Sequence, residues 1–144
     1  MSNSPVPPTP EEAQGGCLCG AVRYRARTAA ARTMVCHCRA CQKQSGSAFS
    51  VSLVVARDAI DVTGATSVFE QPGDSGQAVQ RHFCGQCGSP VINTLSARPG
   101  VVVVRAGTLD DPTWLAPRVH IWCDNAQPWV AIPDADTRFA RAPG

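Results

Sequence analysis

Cysteine is the residue that most constrains this sequence, because eight of the 144 residues are cysteine and seven of those eight fall into three short clusters. The clusters are GGCLCG with Cys17 and Cys19, CHCRAC with Cys36, Cys38 and Cys41, and FCGQCG with Cys84 and Cys87. In a reducing compartment thiols stay reduced, and clustered cysteines more often hold metal than form disulfides. A disulfide framework would require export, and MSNSPVPPTPEE has neither the basic start nor the apolar run of a secretory signal. We therefore expect a cytoplasmic, metal-binding protein.

Length and charge limit the number of domains and the kinds of partner that we expect. With 44% hydrophobic residues, a chain of 144 residues can bury one core. We expect a single domain over 15–133, between flexible tails at 1–14 and 134–144 that have little to bury. The net charge of +2 gives no strong field for nucleic acid or an anionic membrane. We expect a small-molecule partner, no nucleic acid and no membrane, with monomer and homodimer both open.

Short valine-rich runs, punctuated by glycine and proline, predict an all-β fold between the tails. The predicted strands cover 21–26, 48–56, 67–71, 79–83, 90–94, 101–106 and 118–122. Turn sequences such as QPGD at 71–74 and RPG at 98–100 favour antiparallel connections. One short helix is predicted from Arg39 to Gln44, where the following Ser-Gly-Ser ends it.

Two of the cysteine clusters have the form of half sites for one metal ion. Residues i and i+2 of an extended segment project from the same face, so Cys17 and Cys19 can present two thiolates together. The glycines around Cys84 and Cys87 permit the tight turn that brings two more thiolates together. Four thiolates suit a structural zinc ion, which contributes on the order of 10 kcal/mol to the folding of small zinc domains. The alternative, a redox dithiol, opens a helix after a strand in a βαβ unit, which this pattern does not predict.

The third cluster differs because it has three thiolates and no fourth ligand beside them. Structural zinc sites are closed, whereas catalytic sites keep one position for water or substrate. His37 lies between Cys36 and Cys38 and would point to the opposite face of an extended segment, so we expect it to pack or hydrogen-bond rather than bind metal. Cys123 could supply a fourth thiolate, or it could be a small buried residue.

Four motifs in order resemble the glutathione-dependent formaldehyde-activating enzyme family, whose domain also occurs in centromere protein V. GGCLCGAVRY resembles the family pattern GxCxCGxVxY, CHCRACQKQSGSAF resembles CHCxxCRxxxGSAF, and FCGQCGSPV resembles FCxxCGxxx. HIWCDNAQPW resembles the family's histidine, aromatic residue, polar linker and Pro-Trp ending. The chain departs from the pattern at Cys123, Asn125 and Ala126, and the last of these stands where a lysine is common.

The resemblance implies a zinc-stapled β-tent, a fold of stacked antiparallel sheets. It implies one structural zinc on Cys17, Cys19, Cys84 and Cys87, and a second, labile zinc on the catalytic cysteines Cys36, Cys38 and Cys41. It also implies a carbon–sulfur lyase activity, that of S-(hydroxymethyl)glutathione synthase, with glutathione as cosubstrate and formaldehyde or another small aldehyde as partner. The lysine missing at Ala126 leaves a related thiol open as substrate.

Four residues are candidates for substrate binding. A guanidinium at Arg39 could hold a carboxylate of glutathione in a bidentate manner, although solvation is the ordinary state of a surface arginine. Phe49 and Trp129 could line a pocket, although most such aromatic residues fill cores. His120 alternates with Val119 and Ile121 and could face a site or form a structural hydrogen bond.

Two functions from other classes remain open at this point. A noncatalytic carrier would bind the thiol or the metal without accelerating a reaction that also occurs spontaneously. A nucleic-acid-binding zinc ribbon would use the arginines at 23, 25, 27 and 32, but their alternation along a strand favours a solvated face.

Overall fold

The computed structural model describes residues 5–73 and 76–143, which form eleven strands, one α-helix and three short 3-10 turns. The strands are β1 (Glu12–Gly16), β2 (Arg23–Arg27), β3 (Arg32–Cys36), β4 (Ser50–Ala56), β5 (Ile60–Thr63), β6 (Ser67–Pro72), β7 (Ala78–Phe83), β8 (Pro90–Leu95), β9 (Val101–Arg105), β10 (Val119–Ile121) and β11 (Thr137–Arg138). The helix α1 covers Arg39–Ser45, and the 3-10 turns cover Arg57–Ala59, Ala106–Thr108 and Cys123–Asn125. The predicted all-β class and the short helix are confirmed.

The strands form two sheets. The smaller has the order β1-β2-β5, and the larger has the order β11-β10-β3-β4-β9-β8-β7-β6. Most neighbours are antiparallel, as the turn sequences predict, but β10 pairs in parallel with both β3 and β11. The long connections before and after β10 make this possible, because parallel strands cannot be joined by a tight hairpin.

One face of the large sheet forms the hydrophobic core with the small sheet. Leu53, Val55, Val102 and Val104 belong to one buried cluster with residues of β2. The members from the small sheet and its preceding loop are Cys17, Val22, Tyr24 and Ala26. Each fully buried valine or leucine contributes about 1.5–3 kcal/mol, so this layer is the main source of stability apart from metal binding.

The opposite face of the same sheet is polar and carries α1. Strand pairing sets Ser52 opposite Arg105 and Arg81 opposite Asn93, and all four side chains are buried. Arg81 donates to Gln44 on α1 over 2.6 Å, which fixes the helix above this face. The sheet therefore separates an apolar core from a polar compartment beneath α1.

Strands occur within both of the ranges that the sequence analysis predicts to be tails. The strand β1 begins at Glu12, inside the predicted tail 1–14, because its backbone pairs with β2 despite its few apolar side chains. Residues 1–4 of that tail lie outside the described residues. The predicted tail 134–144 supplies β11 and a nearly buried carboxylate at Asp136. The strands β1 and β11 thus extend regular structure into the ranges 1–14 and 134–144.

The strands β1, β3 and β5 lie outside the predicted ranges, since their sequences lack a long apolar run.

Among the described residues, no helix has the length and apolar content that crossing a membrane requires.

Candidate metal centres and adjoining cavities

The sulfurs of Cys17, Cys19, Cys84 and Cys87 lie within 4.8 Å of one another. The Sγ of Cys19 is 3.6 Å from that of Cys17 and 3.7 Å from that of Cys84. Four ligands at about 2.3 Å from a central ion in a tetrahedron would be about 3.8 Å apart. This four-cysteine site therefore has the donor set and spacing of a closed zinc centre.

Local backbone bonds hold each half of the four-cysteine site in shape. The N–H of Val22 donates to the Sγ of Cys17 over 3.2 Å, and this bond lowers the pKa of the Cys17 thiol. In the second half, the N–H of Gly88 donates to the carbonyl of Cys84 over 2.8 Å, with Gly88 in the left-handed region at φ 80°. A residue with a Cβ adopts that conformation at a cost, which explains the glycine of the CxxCG motif.

Ser89 joins the two halves of the four-cysteine site. Its hydroxyl accepts from the N–H of Leu18 over 3.0 Å and lies 3.3 Å from the Sγ of Cys87. Hydrogen bonds from Ser89, first from its hydroxyl and then from its backbone, lower the pKa of Cys87 to about 5. Since zinc binds thiolates, this residue favours the ligand form of Cys87.

The second group, the three-cysteine site, consists of Cys36, Cys38 and Cys41, whose sulfurs also lie within 4.8 Å of one another. Cys36 and Cys41 are buried, and Cys38 is partly exposed. Within the part of the chain that the structure describes, no fourth cysteine, histidine or carboxylate joins this group. Cys123 is not a member, and its Sγ instead lies 3.6 Å from the carbonyl of His120. The set has the chemistry of a three-thiolate metal site with one open position.

The start of α1 shapes the three-cysteine site. Cys36 ends β3, Cys38 caps the helix, and Cys41 lies in the first turn. The N–H of Cys41 donates to the Sγ of Cys38 over 3.3 Å. Hydrogen bonds with the Cys36 and Cys38 thiols lower the pKa of Cys41, and the cation of Arg105 lowers it further against the opposing effect of burial. The buried arginine offsets part of the negative charge that three thiolates would bring.

A buried chain of hydrogen bonds runs from the C-terminal segment to the loop of the three-cysteine site. The carboxylate of Asp136 is 3.0 Å from Nε2 of His120, whose Nδ1 is 3.0 Å from Nε2 of His37. His37 is fully buried between two of the cysteines, and its burial, with the nearby His120, lowers its pKa. The structure therefore places His37 as a packed, hydrogen-bonded residue, as the strand alternation predicts.

Gln42 also connects a later part of the chain to the loop of the three-cysteine site, and the sequence motifs did not indicate this role. Its side-chain amide donates to the carbonyl of His37 over 2.7 Å and to that of Asn125 over 3.0 Å. Its Oε1 accepts from Gln127 over 2.8 Å and also from Arg39. One buried glutamine thus ties α1 to the segment that follows β10. Its position directly after Cys41 was the only available sequence signal.

The four predicted substrate residues fall into two groups. Arg39 and Trp129 line a cavity of about 440 Å³ on one side of α1, and Trp129 is 75% exposed. Arg39 also lines a cavity of about 600 Å³ on the other side of the helix. Phe49 and His120 instead contact His37, with ring centroids 5.7 and 5.2 Å from its own. Neither residue is among those that line the two cavities.

Comparison with protein families gives a match over most of the chain. The model of the family described as glutathione-dependent formaldehyde-activating enzyme matches residues 12–125. That span contains both cysteine groups and the predicted motifs except for the Pro-Trp ending.

Two curated proteins carrying this family's name are similar to the chain. One, from Halomonas elongata, is 31% identical over 138 residues, which are 90% of this chain and 88% of that protein. The other, from Penicillium rubens, is 30% identical over 105 residues, which are 71% of this chain and 54% of that protein. A crystal structure of a Rhodobacter sphaeroides protein is similar with a TM-score of 0.54, covering 73% of this chain and 92% of that chain. Its 22% identity makes it a likeness of fold.

Proposed function

This chain belongs to the glutathione-dependent formaldehyde-activating enzyme family, and on that premise we propose that it is a zinc-dependent carbon–sulfur lyase. The proposed reaction, that of S-(hydroxymethyl)glutathione synthase, joins the thiol of glutathione, or of a related thiol, to formaldehyde or another small aldehyde. We further propose a cytoplasmic location, since eight free cysteines suit a reducing compartment and glutathione is abundant there.

The observation that carries this proposal is the contrast between the two cysteine groups. The four-cysteine site brings together four sulfurs within 4.8 Å of one another, whereas the three-cysteine site offers three sulfurs and reaches solvent at Cys38. A closed set suits a structural ion, and a set with an open position suits one that meets substrate. The fold thus supports two zinc ions with different roles.

Residues of the loop and of α1 supply the proposed chemistry. Cys36, Cys38 and Cys41 would hold the second zinc, which when bound supplies a Lewis acid that lowers the pKa of a substrate thiol. Arg39 lines both cavities and is proposed to orient a substrate carboxylate. The substrate thiol gives up its proton, its sulfur forms a bond to the aldehyde carbon and the carbonyl π bond breaks. The oxygen takes up one proton, so that thiol and aldehyde add without a leaving group to give the S-hydroxymethyl hemithioacetal.

A kinetic measurement tests the proposal, because thiols and formaldehyde also combine without a catalyst. Exchange between free and hydroxymethylated glutathione is followed by NMR, with zinc-loaded protein added to an equilibrated mixture. We expect the wild type and Cys123→Ser to raise the exchange rate well above background, and Cys38→Ser to lose most of that increase.

The outcome also separates the lyase from a noncatalytic carrier. A carrier would bind zinc and thiol while leaving the exchange rate at the background level. Background exchange with wild-type protein that holds two zinc ions would therefore contradict the lyase proposal.

A further inference from the structure

The larger cavity lies between α1 and the strands β6, β7 and β8 and has a volume of about 600 Å³. Three cations line it, Arg39, Lys43 and Arg81, and none of the described residues that line it is acidic. Its apolar lining comes from Phe69, Phe83 and Pro90. The cavity thus combines a positive wall with an apolar one.

Arg81 is the unusual member, because it is only 7% exposed. Its guanidinium donates to Oε1 of Gln71 over 3.1 Å and to Oε1 of Gln44 over 2.6 Å, both neutral acceptors. Among the described residues, no carboxylate lies within ion-pair distance of it. Removing a cation from water is costly unless an anion accompanies it, so this site favours a negatively charged ligand.

The sheet face around Arg81 also contains a buried polar atom that lacks a hydrogen-bond partner. Asn93 pairs with Arg81 across the strands, and its buried Oδ1 has no hydrogen-bond partner among the described residues. A buried oxygen atom without a partner is uncommon in folded proteins and points to a site that receives a polar group.

We propose that this cavity binds a carboxylate of the thiol substrate, with Arg81 as its main contact and Arg39 and Lys43 at the entrance. The planar guanidinium of Arg81 matches a carboxylate, while the exposed ring of Phe69 covers the uncharged part of the ligand. The inference rests on the proposed function for the identity of the ligand as an acidic thiol.

The position of the cavity relative to the cysteine groups supports this assignment. Arg39 directly follows Cys38, and Gly88 directly follows Cys87, so residues next to both groups line the same cavity. A small acidic thiol could therefore place its carboxylate near Arg81 while its sulfur lies toward the three-cysteine site.

Binding of S-methylglutathione, measured by isothermal titration calorimetry, tests the proposal without any reaction, because the alkylated sulfur cannot become a thiolate. We expect Arg81→Gln to weaken binding about tenfold or more, since a lost charge-assisted hydrogen bond removes roughly that much affinity. Arg98→Gln, which removes an exposed arginine outside the cavity, is the matched control and should bind as the wild type does. The dimethyl ester of the probe should bind weakly to the wild type and equally weakly to Arg81→Gln.

If Arg81→Gln fails to fold, the double variant Arg39→Gln/Lys43→Gln tests whether the cations of this cavity bind the ligand. It changes two exposed positions. Wild-type affinity in that variant and in any folded Arg81→Gln protein would overturn the proposal. If these variants still accelerate the exchange and have the wild-type KM for glutathione, the proposed carboxylate site is wrong and the proposed lyase activity stands. If S-methylglutathione binding depends on these arginines but the wild type does not accelerate the exchange, the proposed lyase activity is wrong and the proposed carboxylate site stands.

Discussion

At the scale of single residues, a side chain that contacts a cysteine sulfur can change the metal affinity of the four-cysteine site. Ser89 is the clearest case, because its hydroxyl contacts both the Leu18 amide and the Cys87 sulfur. Groups that hydrogen-bond to metal ligands commonly change metal affinity by about 10- to 100-fold when they are removed.

We therefore expect Ser89→Ala to weaken zinc binding at the four-cysteine site about tenfold. Competition with a chromophoric chelator measures this affinity. Ser96→Ala is the matched control, because Ser96 is exposed and its hydroxyl accepts a hydrogen bond from Gln80, away from both cysteine groups. Equal zinc affinity in the two variants would show that the Ser89 contact is incidental.

Tyr24 provides a prediction about pH, and it is the one tyrosine in the chain. Its hydroxyl lies 2.8 Å from that of Thr108, and burial raises its pKa to about 12. The unfolded value is about 10, so the folded state holds the proton more tightly. This contribution to stability is complete below pH 10 and is lost as the pH rises toward 12, by about 1.4 kcal/mol per pH unit.

Ultraviolet absorbance of tyrosinate follows this single group directly. We expect a midpoint near pH 12 in the folded protein and near pH 10 in denaturant. Tyr24→Phe should lose less stability than the wild type between these two values. A folded-state midpoint near 10 would mean that the hydroxyl is hydrated.

At the scale of elements, β11 and the segment before it support the three-cysteine site from a distance in sequence. Asp136 contacts His120, which contacts His37 between Cys36 and Cys38. The backbone N–H groups of residues 122–124 also donate to carbonyls of residues 139–141 over 3.0–3.1 Å. The C-terminal segment is thus part of the support for the cysteine loop.

Asp136→Ala should therefore destabilise the loop, because it leaves a buried histidine without its acceptor, at a cost of about 1–3 kcal/mol. We expect faster zinc loss from the three-cysteine site and unchanged zinc loss from the four-cysteine site, measured as two phases of release to a chelator. Asp134→Ala, at an exposed carboxylate of the same segment, should behave as the wild type. A uniform change in both phases would indicate general destabilisation instead.

The elements also show where sequence patterns suffice. Valine-rich runs predicted β4, β8 and β9, because these strands bury one face or both. The sequence EAQGG of β1 gave no such signal, since its strand character comes from pairing with β2. For β11, pairing and one buried carboxylate decide the structure, and neither leaves a local pattern.

The candidate sites divide in the same way. Metal-ligand spacing is local, so the cysteines could be grouped before the fold was known. Gln42, Arg81 and Asp136 became apparent only in the folded chain, because a buried polar residue is recognised by its contacts. For Phe49 and His120 the sequence left a site role and a structural role open, and in the structure both rings lie beside that of His37.

At the scale of the whole molecule, the two faces of the large sheet have different roles, since one forms the hydrophobic core and the other carries a candidate binding site. Its apolar face packs on the small sheet, and its polar face carries α1 and the larger cavity. The four-cysteine site joins the loop after β1 to the loop after β7, which are far apart in sequence. Zinc there would stabilise the folded state alone, as in other small zinc domains.

The central claim is that the two cysteine groups bind two zinc ions with separate roles. Native mass spectrometry of protein purified under reducing conditions tests it by counting zinc ions per folded chain in the wild type, Cys41→Ser and Cys123→Ser. We predict two ions in the wild type and in Cys123→Ser, and one ion in a folded Cys41→Ser. One ion in the wild type, retained in Cys41→Ser after zinc is supplied in excess, would contradict the claim.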